Sequence, residues 1–388
     1  MSPRERGRYS GYIGAVFALA TVSGPLIGGV IVDSSLGWRG CFFVGLPVAV
    51  AAFVVLQKTL HVPTVKREVT IDFLGAALIA GGVSVLLIWV SLAGNNFAWG
   101  SFTTAWMIAL GVLMLAAAVV TEMRAVEPII PLRLFRDRTT SLATFASVMI
   151  GVAMFGSTVY LSQYFQIAHG MTPTHAGLMT IAMVGGLLVS SIASGRIITR
   201  TGRWKRFLVG GIILVVIGLG LLSTIGASTS LVRVGVFMAV LGLGLGATMQ
   251  NLVLAVQNNT AQKDMGAASS VVAFFRSMGG SIGVSALGAV LSHQVASGVA
   301  TGLARIGVQP SASGGSSTTI PDLATLPAPV RAVFQTAFGD ATGRVFLIAA
   351  PCAAIALVAI LFIREVPLRT TIEREDELAR PRESVPAR

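Results

Sequence analysis

Ten apolar stretches, most of them close to the length a helix needs to cross a bilayer, restrict this chain more than any other feature. They lie near residues 11–32, 40–57, 73–93, 103–121, 141–160, 176–194, 207–225, 231–256, 266–291 and 345–363. A hydrocarbon core offers no water to backbone amides, so a spanning segment closes its hydrogen bonds within itself as a helix, or within a closed barrel. These stretches do not alternate apolar and polar residues, which removes the barrel. The predicted fold is therefore all-α and integral to the membrane, with about ten transmembrane helices. Composition points the same way. Of 388 residues, 54% are hydrophobic and 11% charged, more apolar surface than a water-soluble globule can hide. The mean hydropathy is +0.81. The 44 glycines suit helices whose backbones approach closely in lipid.

The net charge of +12 would fit a nucleic-acid binder only if the basic residues shared one soluble face. They fall instead in short clusters between apolar runs, so no nucleic-acid partner is expected and the lipid bilayer is the first partner. Alternate crossings put every cluster on one side, leaving only Arg39, Arg305, Arg331 and Arg344 in the opposite loops: Arg4, Arg6 and Arg8; Lys58, Lys66 and Arg67; Arg124, Arg133, Arg136 and Arg138; Arg196, Arg200, Arg203, Lys205 and Arg206; Lys263; and the arginines from Arg364 to Arg388. Lysine and arginine gather on the cytoplasmic side of membrane proteins. The expectation is a multi-pass protein of the cell membrane with both termini in the cytoplasm. The preference for arginine over lysine associates with GC-rich bacterial genomes. The arginines ahead of Ala18-Leu19-Ala20 also have the outline of a signal peptide, but the run from Gly11 to Val32 is long enough to span and further spans follow.

The outer segment 292–343, rich in Ser, Gly, Thr, Ala and Pro, reads as a flexible linker without fixed structure. Residues 364–388 read as a solvated tail with a short helix at its start as an option. Cys41 and Cys352 lie inside apolar runs, with neither disulfide nor metal-ligand spacing. No His-Glu-x-x-His, nucleophile elbow or Walker lysine occurs, so no catalytic residue, metal or cofactor is expected and the chain is not read as an enzyme. Gly242-x-Gly244-x-Gly246 has the look of a phosphate loop, yet it sits in an apolar helix with no strand before it, which favours packing. Gln163, Gln166, Gln250 and Asn251 either line a path or bond between helices.

In the first span Gly24, Pro25, Gly28 and Gly29 crowd one end. Proline removes a backbone hydrogen bond, and Gly24 and Gly28 share a face on which a neighbouring helix can come close. Two readings stay open: a kinked packing helix, or a hinge between the halves of a transporter.

The Gly-Pro-x-x-Gly-Gly of Gly24 to Gly29, preceded by Pro3-Arg4-Glu5-Arg6-Gly7-Arg8 and followed by Trp38-Arg39, Phe42-Phe43 and Leu46-Pro47, resembles the fifth-helix antiporter motif of the fourteen-helix drug:proton antiporters of the major facilitator superfamily. Gly40 and Gly45 depart from that family's usual aromatic and Asn. Asp72-Phe73-Leu74-Gly75 resembles the opening of its inserted helix pair, and Pro128 with Pro131-Leu132-Arg133-Leu134-Phe135 the entry to its second half. Gly195-Arg196-Ile197-Ile198-Thr199-Arg200-Thr201-Gly202-Arg203 resembles the second-half copy of its cytoplasmic loop signature, carried by Gly195, Arg200, Gly202 and Arg203. Thr199 stands where the first-half copy has Asp, a weaker helix cap. For the basic residues of this loop, topology alone is the plainer reading.

The resemblance implies a major-facilitator-type helical bundle. Its expected parts are a two-helix remnant of the N-terminal half at 1–60, the inserted pair with a cytoplasmic linker at 61–140, a six-helix C-terminal half at 141–363 and a cytoplasmic tail at 364–388. It begins at the loop before the family's fifth helix, so the first four helices, with an acidic residue and an arginine tied to proton coupling, are expected to be absent. The 16 acidic residues include none at mid-span, so no proton relay of the kind buried carboxylates provide is visible in the sequence. Lys263-Asp264-Met265-Gly266 followed by Gly279, Gly280 and Gly283 echoes Arg4-Glu5-Arg6-Gly7 followed by Gly24 and Gly28, as an internal repeat would.

Arg276 is the exceptional charge, about 15 Å into the ninth span at 1.5 Å per residue. An ionisable group at that depth is either functional, facing a cavity or a partner, or it reaches to the inner surface or buttresses a neighbouring helix. The residues alone support a membrane transporter; the resemblance implies export of hydrophobic or cationic small molecules coupled to proton entry by alternating access. The alternative is a truncated chain that does not transport alone or that assembles with another membrane chain.

Overall fold

The computed structural model describes residues 12, 16, 20, 23–24, 27–60, 72–93, 96–125, 128–261, 264–307 and 326–366. Helices dominate them: α1 (Gly37–Thr59), α2 (Phe73–Leu92), α3 (Phe102–Arg124), α4 (Arg138–Ile167), α5 (Pro173–Met179), α6 (Ile181–Thr201), α7 (Lys205–Leu222), α8 (Leu231–Asn259), α9 (Met265–Arg305) and α10 (Ala328–Leu361), with a 3-10 turn over Leu132–Arg136. Among the described residues nine helical stretches are long and apolar enough to cross a membrane, α5 and α6 counting together as one. They match nine of the ten expected spans. Half of the tenth, 11–32, falls outside the described residues, as do Pro25, Lys263 and most of the tail.

Local chemistry sets where the helices begin and end. Asp72, Ser101, Asp137 and Thr172 each stand ahead of a helix and accept a hydrogen bond from the backbone N–H three residues on, at 2.7, 3.3, 2.8 and 3.4 Å. These caps satisfy amides that a helix start leaves without a carbonyl. Gly202 ends α6 at φ +71°, a left-handed turn that costs glycine nothing, and its N–H closes on Ile198 O at 2.8 Å.

The core belongs to α4 and to α6 through α10. α8 lies between α6 and α7, and the glycine triplet is the reason it fits. A methyl group on Gly242 or Gly246 would strike the backbone of Met183 or Leu187 on α6, and one on Gly244 would strike Val215 on α7. The triplet is a packing seam facing two neighbours. α9 meets α4 in a comparable seam. Around it cluster Ile150, Leu161, Phe165, Val272, Leu287 and Phe346, all buried. α2 and α3 pack on each other and attach to α9 through α2, where Ser91 Oγ and Ser285 Oγ stand 3.0 Å apart. α1 leans on the helical turns at 27–33, with Gly40 against Ile31, and is otherwise almost bare.

The expectation of a flexible linker over 292–343 needs correcting. Helix continues from 292 to Arg305 in α9 and resumes at Ala328 in α10, so only the middle of that segment lies outside the described residues. The two extensions support each other: Gly298 abuts Ala337, and Gly302 abuts Val333. Small residues that look like linker composition serve here as the contact face of a helix pair running past the expected spans.

Candidate functional site

Contacts gather the clustered cations at one end of the bundle. Arg133 binds Asp264 at 2.5 Å, joining the 3-10 turn to the start of α9. The chain after α10 crosses the ends of α7 and α8. There Val366 O accepts from Trp204 Nε1 at 3.0 Å and Asn258 Nδ2 at 3.1 Å, while Lys205 Nζ donates to Leu361 O at 3.0 Å. The Arg138 guanidinium lies 5.8 Å from the Phe362 ring. Trp204 is fully buried beneath this strap.

The loop expected to carry the signature sits at this basic end. Gly195 is buried, Arg200 and Arg203 are exposed, and Gly202 makes the turn. A shallow cavity of about 440 Å³ is lined by Ile197, Thr201, Arg203, Arg206 and Phe207. Thr199 lies inside α6 and its hydroxyl donates back to Gly195 O at 2.8 Å. The end of α6 is made by the left-handed Gly202, which needs no side chain.

At the opposite end the first span meets α5. A methyl group on Gly29 would lie 2.8 Å from the Pro173 and Thr174 backbones, whereas one on Gly24 or Gly28 meets nothing within 4 Å. The close approach expected of Gly24 and Gly28 thus falls on Gly29, one residue further and about 100° around the helix. Beside it Asp33 Oδ2 accepts from Thr174 N at 3.1 Å and from the Thr174 hydroxyl. Nearby, His169 Nε2 stands 3.0 Å from Tyr164 Oη, whose proton goes to Gly226 O at 2.8 Å. Burial pushes the His169 imidazole below its usual value.

Between the ends runs the α4–α9 seam. Gly279, Gly280 and Gly283 face Val148, Phe155 and Val152, and Gly151 faces the backbone of Arg276 and Gly280. Arg276 shares the helical face of Gly280, Gly283 and Leu287, so it stands toward α4, roughly 17 Å along α9. Among the described residues its guanidinium has no hydrogen-bond or ion-pair partner. On the same helix α4, Thr144, Ser147 and Ser157 are buried with hydroxyls that find no partner, as is Ser191 on α6. Among the described residues Gln166 and Asn251 bond back along their own helices, to Ser162 O at 3.3 Å and Ala247 O at 2.6 Å, and not across to another.

Sequence reasoning missed one residue. Glu122 closes α3 one position past the expected span and is 5% exposed, with Oε1 buried and without a partner. An acidic residue adjoining Met123 and Arg124 reads as the end of a helix. Only the fold reveals that it turns inward.

A bundle of membrane-length helices, cations collected at one end, close-packed glycine seams and a polar patch within it define a multi-pass α-helical membrane protein. The chain belongs to the Major Facilitator Superfamily, whose family model matches residues 1–284. It is 34% identical over 381 residues to an uncharacterized MFS-type transporter of Mycobacterium tuberculosis, covering 97% of this chain and 54% of that protein. It is 32% identical over 289 residues to the multidrug transporter protein MdtP of Bacillus subtilis, covering 74% of this chain and 53% of that one. With the tetracenomycin C resistance and export protein of Streptomyces glaucescens it shares 28% identity over 372 residues, 92% of this chain and 68% of the other. The chain spans about half the length of the first two relatives.

Proposed function

We propose that this chain acts in transmembrane transport, exporting hydrophobic or cationic small molecules in exchange for protons by alternating access. The observation that carries the reading is the family membership, joined to likeness with proteins named for multidrug transport and for export. In this reading the basic end faces the cytoplasm of a bacterial cell. Residues 1–60 belong to the first half, 61–140 are the inserted pair with its linker, 141–363 form the second half and 364–388 the tail.

The contact of Gly29 and Asp33 with Pro173 and Thr174 is then the outer seam between halves, which closes when the transporter opens inward. Gly24, Pro25, Gly28 and Gly29 supply the hinge. Gly195, Arg200, Gly202 and Arg203 form the inner loop. Arg276, on the face of α9 turned toward α4, is the charge on the substrate path.

The test is efflux of a lipophilic cationic dye from cells expressing this chain, compared with cells expressing a version that carries the additional helices of its longer relatives. Efflux by both, abolished when the proton gradient is collapsed, is expected. Efflux by the longer version alone favours a chain that works only with another membrane segment, and efflux by neither sinks the reading. Arg276→Ala at normal expression is expected to lower efflux at least tenfold, and full activity would remove Arg276 from the path.

A further inference from the structure

Two carboxyl groups, of a half-buried Asp72 and a buried Glu122, meet where α2 begins and α3 ends. Asp72 caps α2 through Oδ1, which accepts from Gly75 N at 2.7 Å, while its Oδ2 is buried without a partner. Glu122 is 5% exposed; its Oε2 accepts from Ile130 N at 3.1 Å and its Oε1 has no partner. The two orphaned oxygens converge on the same spot: a methyl group on Gly75 would lie 3.0 Å from Glu122 Oε1 and nearer still to Asp72 Oδ2. Gly75 has no such methyl, and that absence lets α2 and α3 bring the carboxyl groups together.

Among the described residues neither carboxylate forms an ion pair, since Arg133 is bound to Asp264 and Arg124 is exposed. The segment at 128–131 contributes backbone N–H groups alone. Two bare carboxylates facing each other out of water repel, and each leaves an acceptor unsatisfied; one hydrogen between them meets both needs. A metal such as calcium would ask for six or more oxygen ligands, and the described residues assemble no third His, Cys, Asp or Glu here.

We propose that Asp72 and Glu122 form a proton-binding site, one proton being shared between Asp72 Oδ2 and Glu122 Oε1. The shared proton ties the start of α2 to the end of α3. Through Glu122 Oε2 and Ile130 it also holds the segment leading to Arg133, which anchors α9 at Asp264. Its loss leaves two repelling anions and loosens the α2–α3 pair from the six-helix unit. This site is independent of the transport reading, because its readout is equilibrium protonation and no transport step enters.

The test is infrared difference spectroscopy of the purified chain in lipid nanodiscs across pH, following the C=O stretch of a protonated carboxyl group. At neutral pH, where exposed carboxyls with values of about 4 have lost their protons, the wild type is expected to keep one such band. Glu122→Gln and Asp72→Asn are each expected to abolish it while circular dichroism shows helix content unchanged. Asn still caps α2, and Gln offers an N–H to Asp72, so both variants suit the fold. Exchange of sodium and potassium for choline should leave the band untouched. A wild type without the band, a band that survives in both variants, or a band erased by sodium or potassium at constant pH each overturns the proposal.

Discussion

Glycine positions separate contacts that the fold needs from contacts it merely tolerates. At Gly242 an added methyl strikes the Met183 backbone, which belongs to a packed helix and cannot step aside. Gly242→Ala should therefore cost about 1–3 kcal/mol, read as a lower thermal midpoint in detergent. Gly210, on α7, meets nothing within 4 Å, so Gly210→Ala should be neutral or raise stability by about 0.4–1 kcal/mol by narrowing the unfolded ensemble. Equal losses at both positions would refute the seam as the cause.

His169 makes a second residue-scale prediction. Burial lowers its folded value from the ordinary 6.5, so below that pH the unfolded chain takes up a proton that the folded chain resists. Stability from this group is full above the imidazole range and is lost as pH falls through 6.5 toward the lower folded value. His169→Gln should flatten the fall in thermal midpoint between pH 8 and pH 5, and an unchanged slope would show that another group governs it.

At the scale of elements, the outer contact is small but well placed. Asp33 reaches across to the second backbone amide of α5, where a helix start leaves N–H groups free. Asp33→Ala should speed hydrogen exchange at the Thr174 amide by roughly tenfold, the loss of a bond worth on the order of 1–1.5 kcal/mol. Exchange at Gly202, at the far end of α6, should stay as it was. If Thr174 exchanges at the wild-type rate, the contact carries no weight in the folded protein.

Part of this level is readable from sequence. Apolar length placed nine helices, while the cap at Asp72 and the left-handed end at Gly202 came only with the structure. The partner of each seam was not readable, since Gly29 and Gly28 differ in sequence only by one step. The helical extensions past 292 and before 343 were hidden for a related reason: glycine, alanine and serine describe a linker and a close helix contact equally well, and only the facing helix decides between them.

For the whole molecule, the gathered cations make topology the decisive observation. Arg133, Arg138, Trp204, Lys205 and Val366 come together at one end through direct contacts, so their loops must share one side of the bilayer. Reporter fusions after Arg203 and after Arg138 should both report the cytoplasm, and a fusion near Gly226 the outside. A split between the first two would be incompatible with this bundle.

The sequence by itself determined that the chain lives in a bilayer, how many times the described part crosses it and which loops stay together. Those follow from the transfer of apolar side chains and the energetics of cations near lipid, which act on each segment alone. Tertiary structure alone decided that Asp72 and Glu122, fifty residues apart in the chain, face one another across Gly75. It also decided that Arg276 lies toward α4. Whether a polar group is satisfied depends on what other helices bring to it, and no local pattern in the chain encodes that.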